Sequence, residues 1–208
     1  MKKLSLIVIA TLLGAGMCLA QNISLPAPEK TGGKSTLETL WNRQSGTEFS
    51  ERMLSDQDLS NLLFAAIGVN RENGKLTSPT ASNKQEIRVF VFTAKGVCEY
   101  LNAENSLRPV VQGDHRDLVA GRQGWVKTAP VILLMVADEK KFGGSDERSK
   151  VVMGVDAGIV SENINLFCAG TGFVTRPRMS MDTQAIKELL RLDETQTPLL
   201  NNPVGYAR

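Results

Sequence analysis

Residues 130–137 constrain the fold of this chain more than any other segment, because their sequence, PVILLMVA, contains no polar side chain. The run has the length of a β-strand and is too short to span a bilayer. A strand with one face in water alternates apolar and polar residues, whereas a strand buried on both faces is continuously apolar. The segment therefore predicts a central strand that is covered on both sides.

Apolar and turn patterns predict the elements around this strand. Helical spacing of apolar residues indicates helices at about 37–41, 55–67, 148–169 and 182–190. Strands are expected at 87–93, 97–101, 107–111, 173–175 and 198–206. We expect residues 21–34, with two prolines and two glycines, to form an irregular arm, and 114–127 to be partly helical. No repeat or second domain is evident, so 21–208 is predicted to be one soluble globular domain that combines helices and strands.

The longest predicted helix carries apolar residues on more than one side. An ordinary surface helix has a single apolar stripe. The wider distribution suits a helix that lies in a core and also at a subunit interface, and it involves Val152, Val155, Ile159, Val160, Leu166 and Phe167.

The first twenty residues have the pattern of a cleavable secretory signal. Lys2 and Lys3 precede an apolar run at 4–15, and the small residues Cys18 and Ala20 stand before the expected cleavage point. We therefore predict export by the Sec route to the periplasm or another extracytoplasmic compartment, with Gln21 as the first mature residue. A retained membrane anchor and a lipid on Cys18 are the alternatives, but the apolar run is short for a span.

Composition excludes several functions. The chain has 24 basic and 22 acidic residues, and two of the lysines lie in the signal, so the remainder has 22 of each and no general attraction to nucleic acid or anionic membranes. His115 is the only histidine, which argues against a catalytic triad or a histidine-rich metal site. Cys98 and Cys168 do not form a disulfide framework, and Cys168 falls in an apolar stretch that predicts a buried, inert thiol.

Three polar segments interrupt the apolar pattern. Residues 43–45, Arg-Gln-Ser, offer donors that suit a phosphate, although a solvated helix end has the same composition. Residues 79–85, PTASNKQ, can approach a flat ligand closely, although turn chemistry also explains them. Residues 203–208, PVGYAR, end in a cation that could belong to a frayed tail.

Taken together and in order, these segments resemble the FMN-dependent nitroreductase family along nearly all of residues 21–208. Residues 43–49, RQSGTEF, are similar to the family's R-R-S-x-R-x-F, and residues 79–85 to its P-S-A-x-N-x-Q. The segment QGWVKTAP, the long helix with its Gly-Thr-Gly end, and the closing PVGY follow in the family order. Residues 96–130 further resemble the SagB-type branch, the dehydrogenases of azoline-forming peptide maturation. Gln44 and Thr47 depart from the pattern, because arginines are usual there.

The resemblance implies an α+β fold, a three-layer sandwich with a mainly antiparallel mixed sheet flanked by helices, in an intertwined homodimer with FMN at the interface. It implies that the phosphate end of FMN lies near Arg43, Gln44, Ser45 and Arg208, and that the ring lies along the partner's loop. Gln123 would reach the polar edge of the ring, and Thr175 and Arg176 its reactive edge. No side chain is predicted to be catalytic and no metal is expected. The full predicted cofactor-binding set is Arg43, Gln44, Ser45, Pro79, Thr80, Ala81, Ser82, Asn83, Gln123, Thr175, Arg176 and Arg208.

The implied activity is a ping-pong oxidoreductase cycle. NADH or NADPH would reduce the flavin, and an oxidised small molecule such as a nitroaromatic or quinone would reoxidise it. Two alternatives stay open at this point: an exported flavin-binding protein of the same fold that nicotinamide does not reduce, and a dimeric scaffold that has lost FMN.

Overall fold

The computed structural model describes residues 21–208, and the predicted signal peptide lies outside this range. The described chain contains six α-helices and seven strands. In chain order they are β1 Ile23–Ser24, α1 Thr36–Asn42, α2 Asp56–Ile67, β2 Ile87–Thr93, β3 Gly96–Leu101, β4 Ser106–Gln112, α3 Arg116–Ala120, β5 Val131–Asp138, α4 Glu139–Phe142, α5 Glu147–Thr171, β6 Phe173–Thr175, α6 Thr183–Leu190 and β7 Gln196–Tyr206. Two short 3-10 helices, Ala81–Asn83 and Gly124–Thr128, complete the set.

The seven strands form one sheet in the order β1-β4-β3-β2-β5-β7-β6. All pairings between these named strands are antiparallel. The last strand, β7, lies between β5 and β6, so the end of the chain runs through the interior of the sheet. This arrangement brings the C-terminus back beside residues near the start of the domain.

Strand β5 is the centre of the molecule. Its side chains alternate between two hydrophobic cores, with Leu133 and Met135 on one face and Ile132 and Leu134 on the other. Helices α2 and α5 pack on the first face, and α3 and α6 pack on the second. The predicted central strand and the predicted three-layer α+β sandwich are therefore confirmed.

Helix α5 is the longest element and packs along the sheet. It begins at the N-cap Asp146 and ends at Gly172, which has the left-handed conformation typical of a helix C-terminus. By length and composition alone it could cross a bilayer, but one of its faces is buried in the protein core, through Met153, Ala157, Val160, Ile164 and Cys168. Val151 and Val155 lie exposed on another side. The apolar residues therefore occupy more than one face, as the sequence predicts.

Two elements differ from the sequence pattern. Strand β1 forms inside the arm predicted to be irregular, because Ile23 and Ser24 pair with strand β4. Helix α4 follows β5 directly, where Asp138 caps it by accepting a hydrogen bond from the Lys141 N–H. Both are short, and tertiary pairing or a single cap determines them rather than apolar periodicity.

Both cysteines of the described chain are free thiols. Cys168 is buried in α5, and burial raises its pKa well above the ordinary value because the thiolate would lose its hydration. The predicted inert role of this thiol is consistent with that environment.

Candidate functional site

A cavity of about 500 Å³ opens where the two ends of the domain meet. Its walls come from the segment after α1, the C-terminal end of α5, strand β6 and the last two residues of the chain. The lining residues are Lys34, Asn42, Gln44, Ser45, Gly46, Thr47, Glu48, Asn165, Cys168, Ala169, Gly172, Phe173, Val174, Thr175, Ala207 and Arg208.

Helix α1 ends just before the segment 44–48, which lines this cavity. Ser35 and Glu38 form a capping box at its start, and the helix ends at Arg43, where the backbone becomes extended. The Gly46 N–H then donates to the Thr175 carbonyl at 3.1 Å. A Cβ at Gly46 would lie 2.5 Å from Cγ1 of Val174, so only glycine allows this close approach to β6.

The C-terminus is fixed on the other side of the same segment. The Ser50 N–H donates to the Tyr206 carbonyl at 2.9 Å, and Phe49 forms a β-bridge with Ala207. These contacts hold the backbone immediately before Arg208, and Arg208 itself lines the cavity. A frayed tail is therefore the wrong description of this segment.

Four of the predicted residues line the cavity: Gln44, Ser45, Thr175 and Arg208. They come from positions far apart in the chain, and the fold of β7 brings them together. The Arg43 backbone N–H closes α1, and its side chain is exposed beside the cavity without lining it.

The sequence patterns missed other residues of the cavity. Lys34 lies in the N-terminal arm, and its backbone N–H donates to the Gly170 carbonyl at 2.9 Å, which places this cation at the cavity wall. Asn165 lies in the long helix α5, whose sequence pattern predicts packing in the core and carries no motif that marks this residue. No spacing rule would have found either residue, because only the tertiary fold brings them to the cavity.

A buried polar network supports the cavity wall. The Asn202 side-chain amide donates to Asn165 Oδ1 at 3.1 Å and to Thr175 Oγ1 at 3.3 Å. Its carbonyl oxygen accepts from the Ser161 hydroxyl at 2.7 Å. The network connects α5, β6 and β7 and holds Thr175 and Asn165 in place.

The predicted loop 79–83 lies against a different part of α5, and its backbone is strained. Ser82 and Asn83 both have positive φ, at 51° and 54°, which non-glycine residues rarely adopt. Thr80 Oγ1 accepts from the Gln85 N–H at 2.8 Å, and the Ala81 N–H donates to Asp156 Oδ2 at 2.9 Å. The Ser82 and Asn83 side chains are exposed, so they are free to contact another molecule.

The loop and the cavity are separated along α5. Asp156 anchors the loop, whereas Cys168, twelve residues later, lies at the cavity, and a rise of 1.5 Å per residue puts them about 18 Å apart along the helix axis. A single chain therefore presents the two halves of the predicted site at different places.

Gln123 and Arg176 lie near Trp125, on the α3 face of the sheet. Gln123 lines a second, larger cavity of about 870 Å³, and its side-chain oxygen accepts from Arg178 Nε at 2.9 Å. Arg176 is exposed, with its guanidinium 5.9 Å from the Trp125 ring centre. Of Gln123, Thr175 and Arg176, which were predicted for the polar and reactive edges of the flavin ring, only Thr175 lines the cavity of residues 44–48.

Arg178 is a buried residue that the sequence patterns missed. Besides Gln123, it donates to the backbone carbonyls of Val119 and Ala120 and to Asn201 Oδ1. Burial, with a smaller contribution from the neighbouring Arg176, lowers its pKa below the ordinary value. These contacts fix the start of the second 3-10 helix against β7 and hold the Gln123 side-chain oxygen in place.

Comparison with known proteins shows which family and which individual proteins this chain is similar to. A model of the Nitroreductase family matches residues 40–206. A protein of Methanocaldococcus jannaschii that carries the name nitroreductase is 28% identical over 178 residues, covering 81% of this chain and 89% of its own. The resemblance of residues 96–130 to the SagB-type branch stays a prediction.

Solved structures share the fold. A crystal structure of a Ralstonia eutropha protein, also named as a nitroreductase, superposes with a TM-score of 0.84 at 31% identity and covers 90% of both chains. The NADPH:FMN oxidoreductase of Vibrio harveyi, solved in complex with NAD+, has a TM-score of 0.64 at 18% identity, covering 83% of this chain and 68% of that one. The second likeness is one of fold alone.

Proposed function

The chain belongs to the nitroreductase family, and from this premise we propose that it is an FMN-dependent oxidoreductase that accepts electrons from NADH or NADPH. The observation that carries the proposal is the cavity in which Gln44, Ser45, Thr175 and Arg208 converge. The family membership supports the oxidoreductase class, and the cavity supports FMN as the cofactor.

The chemistry of the cavity fits the phosphate end of FMN. Its volume lies within the range of about 300–1,000 Å³ typical of cofactor sites. Arg208 and Lys34 supply positive charge, and Gln44 and Ser45 supply neutral donors. Arg43 stands one residue before this set and would approach the phosphate from its exposed position. Lys34 would offset part of the charge missing where Gln44 and Thr47 replace the family's arginines.

The ring end of the cofactor would be completed by a second copy of the chain. The loop 80–83 and the cavity lie far apart in one chain, and each is exposed. Apolar side chains are also exposed on α1 and α5, including Trp41 at 88% and Val155 at 58%. Burying them between two copies would remove apolar surface from water and bring one chain's loop to the other's cavity.

Bound FMN would supply the hydride chemistry, accepting a hydride from nicotinamide and passing electrons to an oxidised small molecule such as a nitroaromatic or quinone. The chain's own residues would bind and orient it. Arg43, Ser45 and Arg208 would hold the phosphate and ribityl chain, and Thr175, Arg176 and Gln123 would stand near the ring. No side chain is needed as a general acid or base, which agrees with the single histidine.

The predicted export signal favours a second candidate, because nicotinamide cofactors are scarce outside the cytoplasm. In that case the chain would bind flavin without being reduced by NADH or NADPH. The third possibility, a scaffold without FMN, is favoured only by the replaced arginines.

Intact mass of the protein from the envelope fraction checks the export prediction: a chain beginning at Gln21 supports it, and one that keeps Met1 or carries lipid on Cys18 contradicts it.

The proposal is tested by purifying the protein and measuring bound flavin and steady-state kinetics. We expect a yellow protein with one FMN per chain and parallel double-reciprocal plots when NADPH or NADH and a quinone are varied together. A colourless protein that does not bind added FMN would contradict the proposal. A yellow protein without turnover would favour the non-catalytic flavin binder.

A further inference from the structure

Glu86 is a buried carboxyl group without a hydrogen-bond donor. It lies between the loop 79–83 and strand β2 and is 0% exposed. Neither of its side-chain oxygens accepts a hydrogen bond from any donor within residues 21–208. A buried carboxylate in that situation is strongly disfavoured, because nothing replaces its lost hydration.

The group that Glu86 contacts is a second carboxyl, Asp156 of α5. Asp156 is only 4% exposed and anchors the loop that precedes Glu86, and a side-chain hydrogen bond between the two carboxyl groups is among the causes that raise the pKa of Glu86. Its Oδ2 accepts from the Ala81 N–H at 2.9 Å. Two acceptors can form a hydrogen bond only if one of them carries a proton, and two buried like charges in contact cannot both ionise easily.

We propose that Glu86 and Asp156 share one proton, and that this shared proton positions the loop 80–83 for flavin binding. Protonated Glu86 donates to Asp156, and Asp156 in turn holds the Ala81 N–H. The chain of contacts thus runs from the strand through α5 to the loop. Both groups are positioning residues, since neither would touch the flavin. The inference rests on the proposed FMN site.

The charges around the pair support this arrangement. Burial, together with Asp156, raises the pKa of Glu86 from 4.5 to about 7. Lys141 of α4 is the cation that acts on Glu86, and it only partly opposes this effect. Glu99 gives the contrast: it is also buried, but ion pairs with Arg88 and Arg108 outweigh burial and lower its pKa.

The direction of the pH dependence follows from these values. The folded chain keeps the Glu86 proton up to about pH 7, whereas the unfolded chain releases it near 4.5. The pair's contribution to stability is therefore fully present below pH 4.5 and is lost as the pH rises to about 7. Loss of the proton also sets two charges against each other beneath a loop that already has positive φ at Ser82 and Asn83.

The first measurement compares Glu86→Gln with Glu99→Gln by urea unfolding between pH 5 and 8. Glutamine at 86 is neutral and can still donate to Asp156, so this variant should gain stability relative to wild type as the pH rises. Between pH 5 and pH 8, we expect the ratio of the unfolding constants of wild type and Glu86→Gln to change about ten- to a hundredfold, since each pH unit of linkage is tenfold. Glu99→Gln should differ from wild type by a constant amount, because Glu99 stays ionised throughout this range.

The second measurement follows riboflavin binding by fluorescence, since riboflavin lacks the phosphate and its own titration. Wild type should bind riboflavin several-fold more weakly at pH 8 than at pH 6, and Glu86→Gln should bind equally at both. Asp156→Asn places a neutral amide beside Glu86, so it should weaken the pH dependence of stability and leave only the part that burial causes. It serves as the second variant if Glu86→Gln does not fold.

The outcomes separate the two proposals. A Glu86→Gln difference that is independent of pH would overturn the shared proton. Equal pH dependence of riboflavin binding in wild type and Glu86→Gln would overturn the positioning role. Failure of every form to bind FMN or riboflavin would instead contradict the proposed function, and would overturn the positioning role with it, while the unfolding measurement still decides whether the proton is shared.

Discussion

Arg208 tests the proposed phosphate site at the scale of a single residue. This residue lines the cavity, and the preceding residues Ala207 and Tyr206 are held by Phe49 and Ser50. Losing a charged partner costs about 1.5–3 kcal/mol, or roughly ten- to a hundredfold in affinity. Deleting Arg208 should therefore weaken FMN binding by that amount and leave riboflavin binding unchanged, as measured by flavin fluorescence.

Arg208→Lys is the matched control for this deletion. It keeps the charge but loses the bidentate geometry, so FMN binding should fall less than in the deletion. Equal weakening of FMN and riboflavin would contradict the prediction and assign Arg208 to the fold. No effect on either ligand would leave Arg43 and Lys34 as the phosphate cations.

Gly46 tests the close approach that shapes the cavity. A methyl group there would lie 2.5 Å from Val174 Cγ1, so Gly46→Ala should destabilise the protein by about 1–3 kcal/mol through overpacking. Adding Val174→Ala removes the clash and should recover most of the loss. Thermal or urea unfolding of the single and double variants checks this. A harmless Gly46→Ala would mean that the segment 44–48 is not held against β6.

Asn202 tests how the elements are joined. It is fully buried and bonds to Ser161, Asn165 and Thr175, so Asn202→Ala leaves polar groups of α5 and β6 without a partner. We expect a loss of about 2–3 kcal/mol in the free energy of unfolding. Asn73→Ala, on an exposed loop, should change it by less than about 0.5 kcal/mol. A small effect at Asn202 would show that water replaces the amide.

The helices and strands also show which parts of the fold could be predicted from the sequence. Long apolar patterns predicted β2, β5 and α5 correctly, because burial on one or both faces leaves a periodic signal over many residues. The short β1 and α4 leave no such signal. The cavity residues Gln44, Ser45, Thr175 and Arg208 were found through motif resemblance, whereas Lys34 and Asn165 reach the cavity only through tertiary folding.

The whole-molecule prediction is a homodimer that completes the site. Val155 is exposed on α5 although it is apolar, and a charge there should oppose burial between two copies. Val155→Asp should therefore yield a folded monomer that binds FMN weakly, as measured by light scattering with flavin absorption. Val110→Asp, on the exposed side of β4, should remain dimeric and yellow. A wild-type monomer with tightly bound FMN would contradict the shared site.

Reduction of the bound flavin by nicotinamide is tested most directly by anaerobic stopped-flow mixing of the purified, FMN-loaded protein with NADH and, separately, with NADPH. We expect the visible absorption of the oxidised flavin to disappear with one of them in a saturable manner, and a quinone or nitroaromatic added afterwards to restore it. Flavin that stays oxidised with both nicotinamides would contradict an NAD(P)H-dependent oxidoreductase, even if the protein binds FMN.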